Sequence, residues 1–179
     1  MIIIKEINKE GVNMKKFDLN IYKDFKQYFN ILDVLIKLEF SNKELFLEEV
    51  DVSPSSYRRA KKEGNKIGET ILDKLSKYFK YNLCSNELID EIETRINKIY
   101  YDIYYKYYDD YEEHYKWLDE MISKKYIIFP IFKLFKLLMK INDDDNPISI
   151  LSENINSYNE IKQYESFFKG ELFQIIEIF

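Results

Sequence analysis

Nine polar and basic residues crowd the stretch VDVSPSSYRRAKKEGNK at positions 50–66: Ser53, Ser55, Ser56, Arg58, Arg59, Lys61, Lys62, Asn65 and Lys66. Their shared chemistry is nucleic-acid recognition. A guanidinium can make paired hydrogen bonds to guanine O6 and N7, and small serines at a helix start let the backbone approach a groove. Ser53 and Ser56 suit donation to phosphates. Lys61, Lys62, Asn65 and Lys66 would follow the phosphate backbone, setting register more than base choice. The bland alternative is a capped surface helix whose basic residues only solubilise it.

Charge supports the phosphate reading. The chain carries a net −5, yet residues 53–80 hold eight basic and three acidic groups, while residues 81–179 hold 11 and 19. A basic island in an acidic chain is what a local phosphate-binding surface requires, since lysine and arginine gain by releasing counterions while distant acids are partly screened.

Two further sets invite chemistry. Tyr104, Tyr108, Tyr111 and Tyr115 belong to a ladder with Tyr100, Tyr101, Tyr105 and Tyr107, a candidate ligand groove for a peptide because aromatic faces bind apolar side chains and hydroxyls bind backbone. Packing between helical hairpins, helped by the codon bias of an AT-rich genome, is the favoured account of the ladder. His114 stands beside Glu112 and Glu113, which point to other helix faces; only Asp110 lies at the four-residue spacing that lets side chains converge. With no third or fourth ligand in view, no metal site is expected. Asp143, Asp144 and Asp145 lack the spacing and the closing glutamate of a calcium loop. No phosphate loop, nucleophile elbow or catalytic carboxylate pair is present, so neither an enzyme nor a cofactor is expected.

Helices must position these groups. Only four glycines and three prolines interrupt 179 residues, a composition that favours long elements and an all-α fold. Over 19–38, apolar residues recur at three- and four-residue spacing, predicting one helix with a buried stripe. Ser41 followed by Glu44 has the form of a capping box, opening a short helix to about residue 49. Ser53 is a second N-cap with Pro54 at the first helical position, starting a helix over 54–62 that Gly64 ends. A fourth helix is predicted over 69–81. The second and third of these, separated by about three residues, form a helix-turn-helix. Phe46, Val50, Val52, Tyr57 and Ala60 face inward, and Ser55, Ser56, Arg58, Arg59, Lys61 and Lys62 outward.

Beyond Ser85, a plausible N-cap, a run to about 122 lacks glycine and proline. It reads as one very long helix or as two broken near 107–110. Segments at 126–141, 148–155 and 159–168, an acidic turn at 142–147 and a last stretch from Gly170 complete a set of antiparallel helical hairpins. The segment 126–141 carries Lys133, Lys136 and Lys140 and is too short for a free-standing membrane span. Lysine stems snorkelling between helices, or a helix lying on a membrane, account for it. Cys84 is the only cysteine, which excludes an internal disulfide and fits a cytoplasmic location. The opening MIIIKEI does not read as a signal peptide.

The stretch 22–79 resembles the helix-turn-helix domain of phage-repressor-like (Cro/C1, or XRE-like) regulators, with Leu47 and Asp51 where the family pattern has alanine and glycine. The architecture as a whole is similar to RRNPP-type peptide-sensing regulators, whose TPR-like hairpins follow such a domain. Three parts are expected: an N-terminal extension at 1–18, in which the purine-rich stretch that can encode Lys9 to Asn13 resembles a ribosome-binding site and makes Met14 the expected true start; a DNA-binding domain at 19–83, where the resemblance falls; and a helical dimerisation or sensor region at 84–179, which ends abruptly in an apolar run. Double-stranded DNA, a second copy of the chain and a signalling peptide are the partners the resemblance implies, and no membrane. The rival expectation is a helical protein-protein interaction module that does not touch DNA.

Overall fold

The computed structural model describes residues 16–63, 66–143 and 153–178, without the side chains of residues 66–67, 171 and 176–178. Nine α-helices run through the described residues: α1 Tyr28–Glu39, α2 Lys43–Glu49, α3 Pro54–Glu63, α4 Lys66–Tyr78, α5 Asn86–Tyr105, α6 Tyr111–Ser123, α7 Phe129–Asp143, α8 Ile155–Lys162 and α9 Glu171–Ile178. The only extended pairing among those residues is an isolated bridge between Asn82 and Tyr126. The fold class is all-α.

Several boundaries differ from those expected of the sequence. The first helix begins later than residue 19: Asn20–Lys23 and Phe25–Gln27 are tight 3-10 turns. Between them Asp24 is extended, and its carboxylate takes the Lys26 amide, which interrupts the helical ladder. The cap of α2 is Asn42, whose side chain accepts from the amides of Glu44 and Leu45, so the Ser41 capping box does not form. The fourth helix starts at Lys66 and ends at Tyr78, three residues earlier at each end than expected. Of the two readings of the long run after Ser85, the broken one holds. Ser85 caps α5 by accepting from Leu88, and Lys106 ends it in the left-handed region. Gly64 and most of the acidic turn and of the segment 148–155 lie outside the described residues. The segment from 159 to 168 is shorter as a helix, since α8 closes at Lys162 and a 3-10 turn, Glu165–Phe167, follows.

Packing centres on α7. Phe129, Pro130, Ile131, Phe132, Leu134, Phe135, Leu137 and Met139 are all buried, so this helix is apolar almost all round and lies inside the bundle. Helices α5, α6 and α8 pack against it. Its lysines leave at the rim, where Lys133 pairs with Glu160 of α8 and Lys136 with Asp119 of α6. That arrangement is the snorkelling alternative. No helix among the described residues is long and apolar enough to cross a membrane.

The segment before α1 fastens the first four helices to the rest. The Asn97 side chain accepts from the Phe17 amide at 2.7 Å and donates to its carbonyl at 2.9 Å, and Glu93 accepts from the Leu19 amide at 2.7 Å. The Phe17 ring meets Tyr100 and Phe135 edge-on. Tyr22 packs on Phe167 with ring centroids 4.6 Å apart; its hydroxyl donates to the Phe167 carbonyl and accepts from the Lys169 amide. The buried apolar residues, from Phe17 to Ile175, form a single cluster.

Candidate nucleic-acid interface

The geometry around α3 starts at the end of α2. Asp51 takes a φ of 51°, in the left-handed region, while the Val52 amide bonds back to Leu47 and the Asp51 amide to Glu48. This is the Schellman pattern, which turns the chain sharply and satisfies orphan carbonyls. Asp51 therefore occupies the conformation that glycine usually fills, and Lys74 of α4 holds it by donating to its carbonyl at 3.1 Å. Two residues later the Ser53 hydroxyl accepts from the Ser56 amide at 3.1 Å, and Pro54 opens α3. Ser53 is also bonded to the hydroxyls of Ser55 and Ser56, at 3.0 and 2.8 Å, so the three serines form one polar knot at the helix start.

Tyr57 and Ala60 are buried and fix which face of α3 looks out. Ser55, Arg58, Arg59 and Lys62 are exposed. Arg58 Nε donates to the Pro54 carbonyl of its own helix at 3.2 Å, and among the described residues no carboxylate pairs with Arg58, Arg59 or Lys62. Asn65 is outside the described residues, and of Lys66 only the backbone, at the start of α4, is described.

Lys61 is exposed, as expected of the outward set, but its ammonium is engaged. It follows the buried Tyr57 by four residues, which brings it to the same flank. There its ammonium donates to Asp33 of α1 at 2.6 Å. Asp33 also accepts from the Tyr57 hydroxyl at 2.9 Å and from Lys43 of α2, whose ammonium sits 4.1 Å from the Tyr57 ring centre. One carboxylate thus joins α1, α2 and α3. Partial burial would raise the Asp33 carboxyl, but the bonds from Lys43 and Lys61 outweigh it and hold the group below the usual carboxylate range. Burial, with Asp33 adding to it, pushes the Tyr57 phenol well above its ordinary value.

Gly68 sets the distance between α3 and α4. A Cβ there would lie 3.1 Å from the Phe25 ring and 3.4 Å from the Ala60 backbone, so two small residues let the helices close.

The tyrosine ladder divides. Tyr111 is buried and its hydroxyl accepts from Asn142 at 2.9 Å; burial lifts both Tyr111 and the half-buried Tyr115 to about 12. Tyr104 is half-buried, and Tyr108 is exposed with its ring edge on Tyr111. The four residues thus span core and surface, as members of a packed set do. The exposed aromatic patch is elsewhere in the ladder, where Tyr107 stacks on Tyr101 and Tyr105.

His114 finds the partner that sequence spacing did not offer. It is fully buried, and its Nε2 lies 2.7 Å from Asp102 of α5. Asp102 interrupts the isoleucine stripe Ile99–Ile103, so an acid on an otherwise apolar face was the available signal. Asp110 is close enough that one ligand-type atom from each of the three residues lies within 4.8 Å of the others. The Lys98 ammonium is 2.6 Å from Asp110, while the buried His114 Nδ1 has no hydrogen-bond partner.

No protein-family model, curated protein or solved structure matches this chain.

Proposed function

We propose that this protein is a sequence-specific DNA-binding regulator, with α2 and α3 as its helix-turn-helix and α3 as the element that enters the major groove. One observation carries the reading: Arg58, Arg59 and Lys62 stand exposed on one side of a serine-capped helix whose other side, Tyr57 and Ala60, is buried. That division leaves guanidinium groups free to meet guanine edges while the helix is held from beneath. The left-handed Asp51 at the turn supports the same assignment, since a tight turn there is what sets two short helices against each other. Two copies on duplex DNA are proposed as well, because one short recognition helix supplies little affinity alone. The reading includes a cytoplasmic location, and TPR-like hairpins in the C-terminal half that answer a peptide.

A gel-shift salt titration tests it. Arg58→Ala and Arg59→Ala are each expected to weaken cognate binding by about 1–3 kcal/mol and to relax base choice, whereas Lys62→Ala weakens all sequences alike and lowers the salt slope by about 1. Equal losses on cognate and random DNA for every variant would overturn these roles. A second reading, a helical module that binds protein and not DNA, is favoured by the exposed Tyr101, Tyr105 and Tyr107 patch. It predicts no salt-dependent retention on DNA.

A further inference from the structure

We propose that Asp33 is an internal substitute for a DNA phosphate, holding the ammonium groups of Lys43 and Lys61 out of the phosphate-binding set. The inference rests on the DNA-binding reading above and says which cations of that surface count.

Both lysines flank the α2–α3 unit, Lys43 as the first residue of α2 and Lys61 in the last turn of α3. Their side chains keep 42% and 41% of their exposure, so they lie at the surface where a passing phosphate would meet them. Each is already engaged. Asp33 Oδ2 takes Lys61 at 2.6 Å, and Oδ1 takes Lys43 together with the Tyr57 hydroxyl at 2.9 Å. A carboxylate presents two anionic oxygens to a cation much as a phosphate does, and charge-assisted bonds of this length are the strong ones. Tyr57 is fixed by the core and braces the carboxylate. A lysine that stays on Asp33 neutralises no phosphate and so releases none of the cations condensed on DNA, and leaving Asp33 would strip that carboxylate of its partner. Arg59 and Lys62, unpaired with any described carboxylate, are under no such constraint.

The difference is measurable in full-length protein with a fluorescently labelled random-sequence duplex, titrated at a series of KCl concentrations. Each phosphate contact contributes about 0.9 to the slope of log affinity against log salt. Lys62→Gln is expected to lower the slope by about 0.9, whereas Lys43→Gln and Lys61→Gln leave it unchanged. Asp33→Asn is expected to steepen it by about 0.9 to 1.8 and to tighten binding to random DNA, because the freed lysines join the set. A loss of slope in Lys61→Gln or Lys43→Gln equal to that in Lys62→Gln overturns the proposal, as does a folded Asp33→Asn with unaltered slope. Should Asp33→Asn fail to fold by circular dichroism, the two lysine variants decide the matter, since both change exposed side chains. A wild-type protein with no salt-dependent retention refutes the DNA-binding reading and the inference together; retention with an altered Lys61→Gln slope refutes the inference alone.

Discussion

A lysine in the left-handed backbone region is under strain, and three of the described residues are such lysines: Lys80, Lys106 and Lys125 have φ values of 59°, 58° and 51°. Each lies just after a helix, the place where glycine is favoured because it has no Cβ to meet the neighbouring carbonyl. Lys106→Gly is therefore expected to raise stability by about 1 kcal/mol, read as a higher urea midpoint at unchanged slope. Asp51→Gly should gain less, since it gives up the 3.5 Å ion pair with Lys74. A lowered midpoint for Lys106→Gly would mean that its side chain makes a contribution beyond the turn. The same scale separates what could be read from residue types and what could not. Ser53 and Pro54 announced their helix start because capping is local chemistry. The Asp33 junction was not legible, since Tyr57 and Lys61 lie 24 and 28 residues away along the chain and meet it only through packing. Lys61 itself was legible in part: its four-residue distance from Tyr57 already put it on the flank of α3.

At the scale of elements, periodicity predicted a helix where one face is apolar, as in the Phe29, Leu32, Leu35 and Ile36 stripe of α1. It failed before α1. There Tyr22 is buried although it belongs to a 3-10 turn, and an α-helical reading of the spacing captures burial without capturing the turn. Element spacing also depends on small residues that no stripe reveals. Gly68 and Ala60 allow α4 to approach α3, so Gly68→Val, which drives a branched side chain toward the Phe25 ring, is expected to cost about 1–3 kcal/mol in a thermal or urea melt. An unchanged melt would show that Phe25 can swing aside. The His114 and Asp102 pair locks α6 to α5 in the same manner, by a contact between elements that the order of residues alone does not disclose.

For the whole molecule, one apolar cluster includes residues of α1 to α4 and of α5 to α9 alike. Cooperative unfolding follows from a continuous core. Calorimetry of the full chain is expected to give a single transition whose calorimetric and van't Hoff enthalpies agree; two resolved transitions would mean that the α1–α4 part melts as a unit of its own. The contact between Tyr22 and Phe167 also orders events in time. As the polypeptide leaves the ribosome, the residues that carry α3 emerge before the ring that covers Tyr22, which follows Tyr22 by 145 residues. A nascent chain of this kind carries a greasy underside until that ring is added, the interval in which a helper that shields such surfaces would matter most.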